Sequence, residues 1–162
     1  MPSVSKKKVL IVDDHPSIRF LVASLIESDQ FTVCGELTDG KEAIDKAVEL
    51  KPDLILLDYA MPRLNGGEAA VVLKRLLPHV PIILFTLHDD HVNQTLAVAM
   101  RVDRVISKAD GMTKLMECMC EVLGLPLNQI ATVGPLQLPI DPTSETNHPL
   151  QTTCTPEEKL PE

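Results

Sequence analysis

The 162-residue sequence has no block of basic side chains, no long apolar run, no paired Cys-x-x-Cys and no glycine-rich phosphate loop. Each absence removes a class of function. The only basic run is Lys6–Lys8, and the net charge is −8. Such a chain displaces few phosphate counterions, so no direct nucleic-acid partner is expected. The longest apolar runs, Val9–Val12 and Leu54–Leu57, are far too short to cross a bilayer, and no membrane partner is expected either. No apolar stretch of signal-peptide type precedes Asp13-Asp14, so a cytoplasmic location is the default expectation. Cys34, Cys118, Cys120 and Cys154 read as buried or incidental thiols, since residues two apart on a helix do not share a face. With no GxGxxG after the first apolar run, nucleotide or dinucleotide binding is disfavoured.

What is present is a rhythm of short apolar runs and amphipathic stretches. Strands are expected at Lys8–Val12, Val33–Leu37, Leu54–Leu57, Ile82–Phe85 and, weakly, Arg104–Ser107. Helices are expected at Pro16–Glu27, Gly40–Leu50, Asn65–Leu77, Asp90–Met100 and Gly111–Leu123. Pro16 suits a first helical position, and Asp110 could cap the last helix. Ile18, Leu21, Val22, Leu25 and Ile26 form the apolar face of the first helix; Ala43, Ile44, Ala47 and Val48 form that of the second. The run Leu54-Ile55-Leu56-Leu57 lacks polar alternation, as a central strand does when helices cover both faces of a parallel sheet. Five strand–helix units joined by short links indicate an α/β, doubly wound sheet.

This domain occupies residues 1–125, with 14 basic and 18 acidic side chains. Residues 126–162 contain seven prolines, one basic and five acidic side chains, and no persistent period. A disordered, Pro-rich acidic tail is expected there. Its Leu127, Ile130, Val133, Leu136, Leu138 and Ile140 are apolar enough to dock on the domain or on a partner. The tail is too short and proline-rich for a helix-turn-helix output domain.

In such a sheet, functional residues lie just beyond the C-terminal ends of the strands. Asp13 and Asp14, Asp58, Thr86 and Lys108 stand there. Strand ends are commonly polar, so each alone could be a solvated loop residue. Together they place three acids, a hydroxyl and an ammonium at one rim. Three carboxylates at one point repel unless a cation sits among them, and a hard, oxygen-seeking ion such as Mg²⁺ fits. Asp58 is then a plausible nucleophile towards phosphorus, with Lys108 and Thr86 facing the phosphoryl oxygens.

Val-Asp13-Asp14-His-Pro, the segment Asp58-Tyr-Ala-Met-Pro-Arg-Leu-Asn-Gly66, Thr86 and Lys108 resemble the receiver domain of bacterial two-component response regulators over residues 6–124. Receivers of the LuxR/NarL type look most similar. The resemblance implies a five-stranded, flavodoxin-like (CheY-like) (βα)5 sheet of strand order 2-1-3-4-5. It implies phosphorylation of Asp58 by a histidine kinase or phosphotransfer protein. It also implies Mg²⁺, with Mn²⁺ as a substitute, held by Asp13, Asp14, Asp58 and the backbone carbonyl of Ala60. Thr86 and Lys108 would bind the phosphoryl oxygens, and Ala60 and His88 would tune phosphoryl lifetime. His15 is not expected to ligate Mg²⁺.

Departures from the receiver pattern fall near the lysine. Arg101-Val102-Asp103-Arg104-Val105 replaces the usual Gly-Ala-x-Gly-aromatic, so Val105 stands where a ring is expected, and Leu87 replaces a small residue after the threonine. Arg101 and Arg104 form either a solvated surface pair or a partner surface, with a homodimer among the candidates. The first reading is therefore a phosphorylated response regulator acting through protein contacts, not an enzyme on external substrates. A phosphorylation-independent receiver-like scaffold is the alternative. An aspartyl-phosphate phosphohydrolase is disfavoured, because Ala60 stands where its acid/base aspartate is needed.

Overall fold

The computed structural model describes residues 5–87 and 94–127. Strands β1 (Lys7–Val12), β2 (Phe31–Leu37), β3 (Leu54–Leu57), β4 (Ile82–Thr86) and β5 (Arg104–Ser107) form one parallel sheet of order β2-β1-β3-β4-β5. Between and after them run α1 (Pro16–Ile26), α2 (Gly40–Leu50), α3 (Gly66–Leu76), α4 (Gln94–Met100) and α5 (Gly111–Leu123). The expected sheet and its order are both present.

Successive side chains of each strand enter opposite layers, as a pleated strand requires. Leu10, Val12, Ile55, Leu57, Ile82 and Leu84 pack with Ala43 and Ala47 of α2, Ala69, Ala70 and Leu73 of α3, and Met100 of α4. Their neighbours Val9, Ile11, Leu54, Leu56, Ile83 and Phe85 pack with Val22 and Ile26 of α1 and with Leu115, Cys118 and Met119 of α5. All four residues of β3 are buried, which is why that run shows no polar alternation. A fully buried Leu or Ile contributes roughly 1.5–3 kcal/mol, so these two layers dominate the stability. Cys118 and Cys120 serve as apolar filler, and burial pushes both thiols up from their ordinary pKa.

Several boundaries differ from the sequence reading. β2 begins at Phe31, two residues early, because Phe31 is fully buried and pairs with Lys7 in register with the residues after it; the register shifts only between Val9 and Leu10. Leu21 and Val48 are exposed rather than inward. Asp110 makes no side-chain cap, because a 3₁₀ turn over Lys108–Asp110 leaves it in helical backbone; Ser107 caps that turn by accepting from the Ala109 N–H. The start expected for α4 and the tail beyond residue 127 lie outside the described residues, as does Cys154. None of the described helices is long and apolar enough to cross a membrane.

The start of α2 is a reciprocal cap. Asp39 accepts from the Glu42 N–H at 3.0 Å, and Glu42 accepts from the Thr38 N–H at 2.9 Å and the Thr38 hydroxyl at 3.0 Å. The Thr38 N–H, then Lys46, then the Thr38 hydroxyl hold the Glu42 carboxyl down at about 2, against an ordinary 4.5. A depressed carboxyl stabilises the fold fully above its unfolded value and loses that contribution as pH falls through the folded one. The melting-temperature advantage of the native chain over Glu42→Gln should therefore be present at pH 7 and shrink between pH 4.5 and about 2. A constant gap across that window would show that the cap acts without its charge.

Candidate functional site

The register sets the site. Val12 pairs with Leu57, so Asp13 and Asp58 leave the sheet abreast, with the Asp58 N–H bonded to the Val12 carbonyl at 2.8 Å. Thr86 pairs with Ser107, so Lys108 follows directly beyond them. The five rim residues named from the sequence thus occupy neighbouring strand ends. Asp13 and Asp58 are 3% and 5% exposed, and Thr86 is fully buried.

Among the described residues, Lys108 brings an ammonium to the carboxylates of this pocket. Its Nζ lies 2.5 Å from Asp13 Oδ2 and 3.2 Å from Asp58 Oδ2, with its own side chain buried. The other Asp13 oxygen accepts from the His15 N–H at 2.8 Å, and Arg19 clamps the Asp13 carbonyl at 2.7 Å. Two buried carboxylate oxygens, Asp14 Oδ1 and Asp58 Oδ1, accept no hydrogen bond from the described residues, although His15 Nδ1 lies 2.7 Å from the first. A buried oxygen without a donor is costly, and one ammonium cannot balance three carboxylates. Ligand atoms of Asp13, Asp14, Asp58 and His15 all lie within 4.8 Å of one another. The orphaned oxygens and the oxygen-rich donor set fit a hard divalent cation such as Mg²⁺.

The loop after Asp58 is held against this pocket by backbone contact. The Gly66 N–H donates to the Tyr59 carbonyl at 2.8 Å. A Cβ at Gly66 would overlap the Asp58 carbonyl oxygen and lie 2.9 Å from its carbon. Close approach, rather than positive φ, is what requires glycine here. Ala60, half-buried, sits within this loop.

A fourth acid at the same rim escaped the sequence reading. Asp39, buried at the end of β2, gives one oxygen to the Glu42 N–H and the other to Arg63. Both oxygens are taken, which keeps it out of the cation site. Arg63 adopts φ +67 to make this latch, joining the loop after Asp58 to the start of α2. The Asp39-x-x-Glu42 cap was legible in the sequence; its pairing with a residue 24 positions on was not.

The remaining named residues are more scattered. Leu87 is 65% exposed, and His88 lies outside the described residues. Val105 is half-buried opposite Leu84 and packs into the layer of α2, α3 and α4. Arg101 and Arg104 are exposed at the end of the sheet away from the acids. Arg101 holds φ +59, which explains why a glycine suits that position better.

Comparison with known proteins agrees with this geometry. The sequence model described as "Response regulator receiver domain" matches residues 9–119. Response regulator protein VraR of Staphylococcus saprophyticus is 36% identical over 113 residues, covering 69% of this chain and 54% of that protein. VraR of Staphylococcus aureus is 40% identical over 102 residues, covering 62% and 49%. The chain thus spans about half the length of the curated relatives it matches. The response regulator domain of Thermotoga maritima CheB superposes with a TM-score of 0.67 at 28% identity, over 75% of this chain and 99% of that one. Thermotoga maritima TrrA, solved in complex with Mg²⁺-BeF, gives 0.66 at 27% identity, over 72% and 99%.

Proposed function

This chain belongs to the response regulator receiver domain family, and from that premise we propose that it is a Mg²⁺-dependent phosphoacceptor whose Asp58 takes a phosphoryl group from a histidine kinase or phosphotransfer protein. The observation that carries the reading is the buried Asp58 carboxylate, one oxygen facing Lys108 and the other without a hydrogen-bond donor among the described residues, beside Asp13 and Asp14. Receiver domains are signalling modules, and this one is read as acting through protein contacts.

Asp13, Asp14, Asp58 and the Ala60 carbonyl would hold the ion, with Mn²⁺ able to replace it. Bound there, Mg²⁺ supplies positive charge against the phosphoryl oxygens. The Asp58 carboxylate forms the new O–P bond as the donor's P–N bond breaks, the electron pair leaving on the histidine nitrogen. Lys108 stays within reach of the developing charge because Asp13 fixes its ammonium. Thr86, at the adjacent strand end, is placed to meet a phosphoryl oxygen, and Ala60 leaves the approach of water to His88. The receiver is assigned to residues 1–125, with residues 126–162 as a tail; a cytoplasmic setting and self-association through Arg101 and Arg104 belong to the same reading.

Val105 has one short, stiff side chain and cannot swing as a ring would. The response should therefore run through Thr86 and the Leu87 loop rather than through residue 105. Amide shifts on adding beryllofluoride with Mg²⁺ test this. Shifts at Asp13, Asp14, Asp58 and Lys108 that spread to Leu87 support a switch, and Thr86→Ala should stop the spread while the site still loads. Loading with no shift beyond the pocket would favour the scaffold reading.

A further inference from the structure

The donor set of the pocket is not all oxygen. His15 Nδ1 lies 2.7 Å from Asp14 Oδ1 and 3.6 Å from Asp13 Oδ1, within the same 4.8 Å group as Asp58. That places an imidazole nitrogen directly beside a carboxylate oxygen of the cation pocket. The backbone pins the residue in place: the His15 N–H is tied to Asp13, and Pro16 starts α1 immediately after it. Lys108 faces Asp13 Oδ2 and Asp58 Oδ2, which leaves Asp58 Oδ1, without a hydrogen-bond donor among the described residues, and Asp14 Oδ1, met there by the His15 ring, as the oxygens open to a cation. The ring itself is two-thirds exposed and can turn towards an ion.

We propose that His15 Nδ1 joins the carboxylates of Asp13, Asp14 and Asp58 as a mixed oxygen–nitrogen site for a borderline transition ion, Zn²⁺ being the type, in competition with Mg²⁺. The proposal rests on the pocket being the receiver's cation site, and adds a ligand that Mg²⁺ does not use. Mg²⁺ is hard and keeps to oxygen and water, whereas imidazole suits Zn²⁺. Zn²⁺ takes four ligands at about 2.0–2.2 Å, so ligand atoms already grouped this closely need only a small contraction to close on it. A four-coordinate ion held by four protein groups keeps no open position. The Zn²⁺-loaded chain would therefore be closed to phosphorylation, and His15 would make the receiver sensitive to which metal is present.

The test is calorimetric titration of the full chain with Zn²⁺ and, separately, with Mg²⁺, in native and His15→Ala forms. Zn²⁺ affinity should fall by about tenfold or more in His15→Ala, while Mg²⁺ affinity stays within about twofold. In the native chain, Zn²⁺ should also shift the His15 ring resonances. A Zn²⁺ affinity changed by less than about threefold overturns the proposal, because other donors then hold the ion. An equal fall for both metals overturns it too, since His15 would then only shape the pocket. Failure of the native chain to bind Mg²⁺ at all would instead remove the receiver-type cation site itself.

Discussion

Gly66→Ala should lower the stability of the domain by about 3 kcal/mol or more and abolish Mg²⁺ binding in the fraction that still folds. The added methyl would meet the Asp58 carbonyl oxygen and carbon and Tyr59 Cα, all backbone atoms that cannot move alone. Relief requires the loop that carries Ala60 to lift away from the end of β3, and the Asp58 side chain goes with it. Gly67→Ala is the control, because its methyl would meet Met100 Sδ, the flexible end of a side chain. Thermal melts should show a fall of roughly 10 °C or more for Gly66→Ala and a smaller one for Gly67→Ala. Equal melting temperatures for Gly66→Ala and the native chain would mean that the loop does not press on Asp58.

Lys108→Ala should make stability depend on Mg²⁺. Removing this ammonium leaves Asp13 Oδ2 and Asp58 Oδ2 buried with no cation between them. Breaking a buried ion pair by deleting one partner costs about 3–5 kcal/mol. Without divalent ion, the variant should be destabilised by that order; millimolar Mg²⁺ should recover much of the loss by supplying the missing charge. Adding Asp58→Asn to the variant should also recover stability, because it removes one of the two repelling carboxylates. A deficit that neither Mg²⁺ nor the second substitution reduces would show that Lys108 acts through packing, for instance against the Phe85 ring 6.0 Å away.

The fold was readable wherever an apolar run was bounded by a residue that stops it. Leu54–Leu57, between Pro52-Asp53 and Asp58, and Gly111–Leu123, before Gly124, have the observed limits. The rim residues were readable for the same reason: each ends such a run, and parallel register does the rest. Harder to read were features decided by distant partners. Phe31 joins β2 because it is buried and pairs with Lys7 of β1, and Phe20 is 73% exposed although it is as apolar as its neighbours on α1. Asp39 is a structural acid because Arg63 reaches it, a contact that no local spacing announces. The preference of Mg²⁺ for oxygen keeps His15 out of a Mg²⁺ site, and only the folded chain shows its ring nitrogen beside the carboxylates.

The central claim is that Asp58 is a phosphoacceptor made competent by a cation among the three acids. It is tested most directly by intact-mass and peptide-level mass spectrometry after incubation with Mg²⁺ and a small phosphodonor, in the native chain and in Asp58→Asn. The expected result is a single acid-labile, hydroxylamine-sensitive phosphoryl group on the peptide carrying Asp58, lost on chelation of Mg²⁺ and absent from Asp58→Asn. No gain in mass at millimolar Mg²⁺ and donor, or an equal gain in Asp58→Asn, would contradict it.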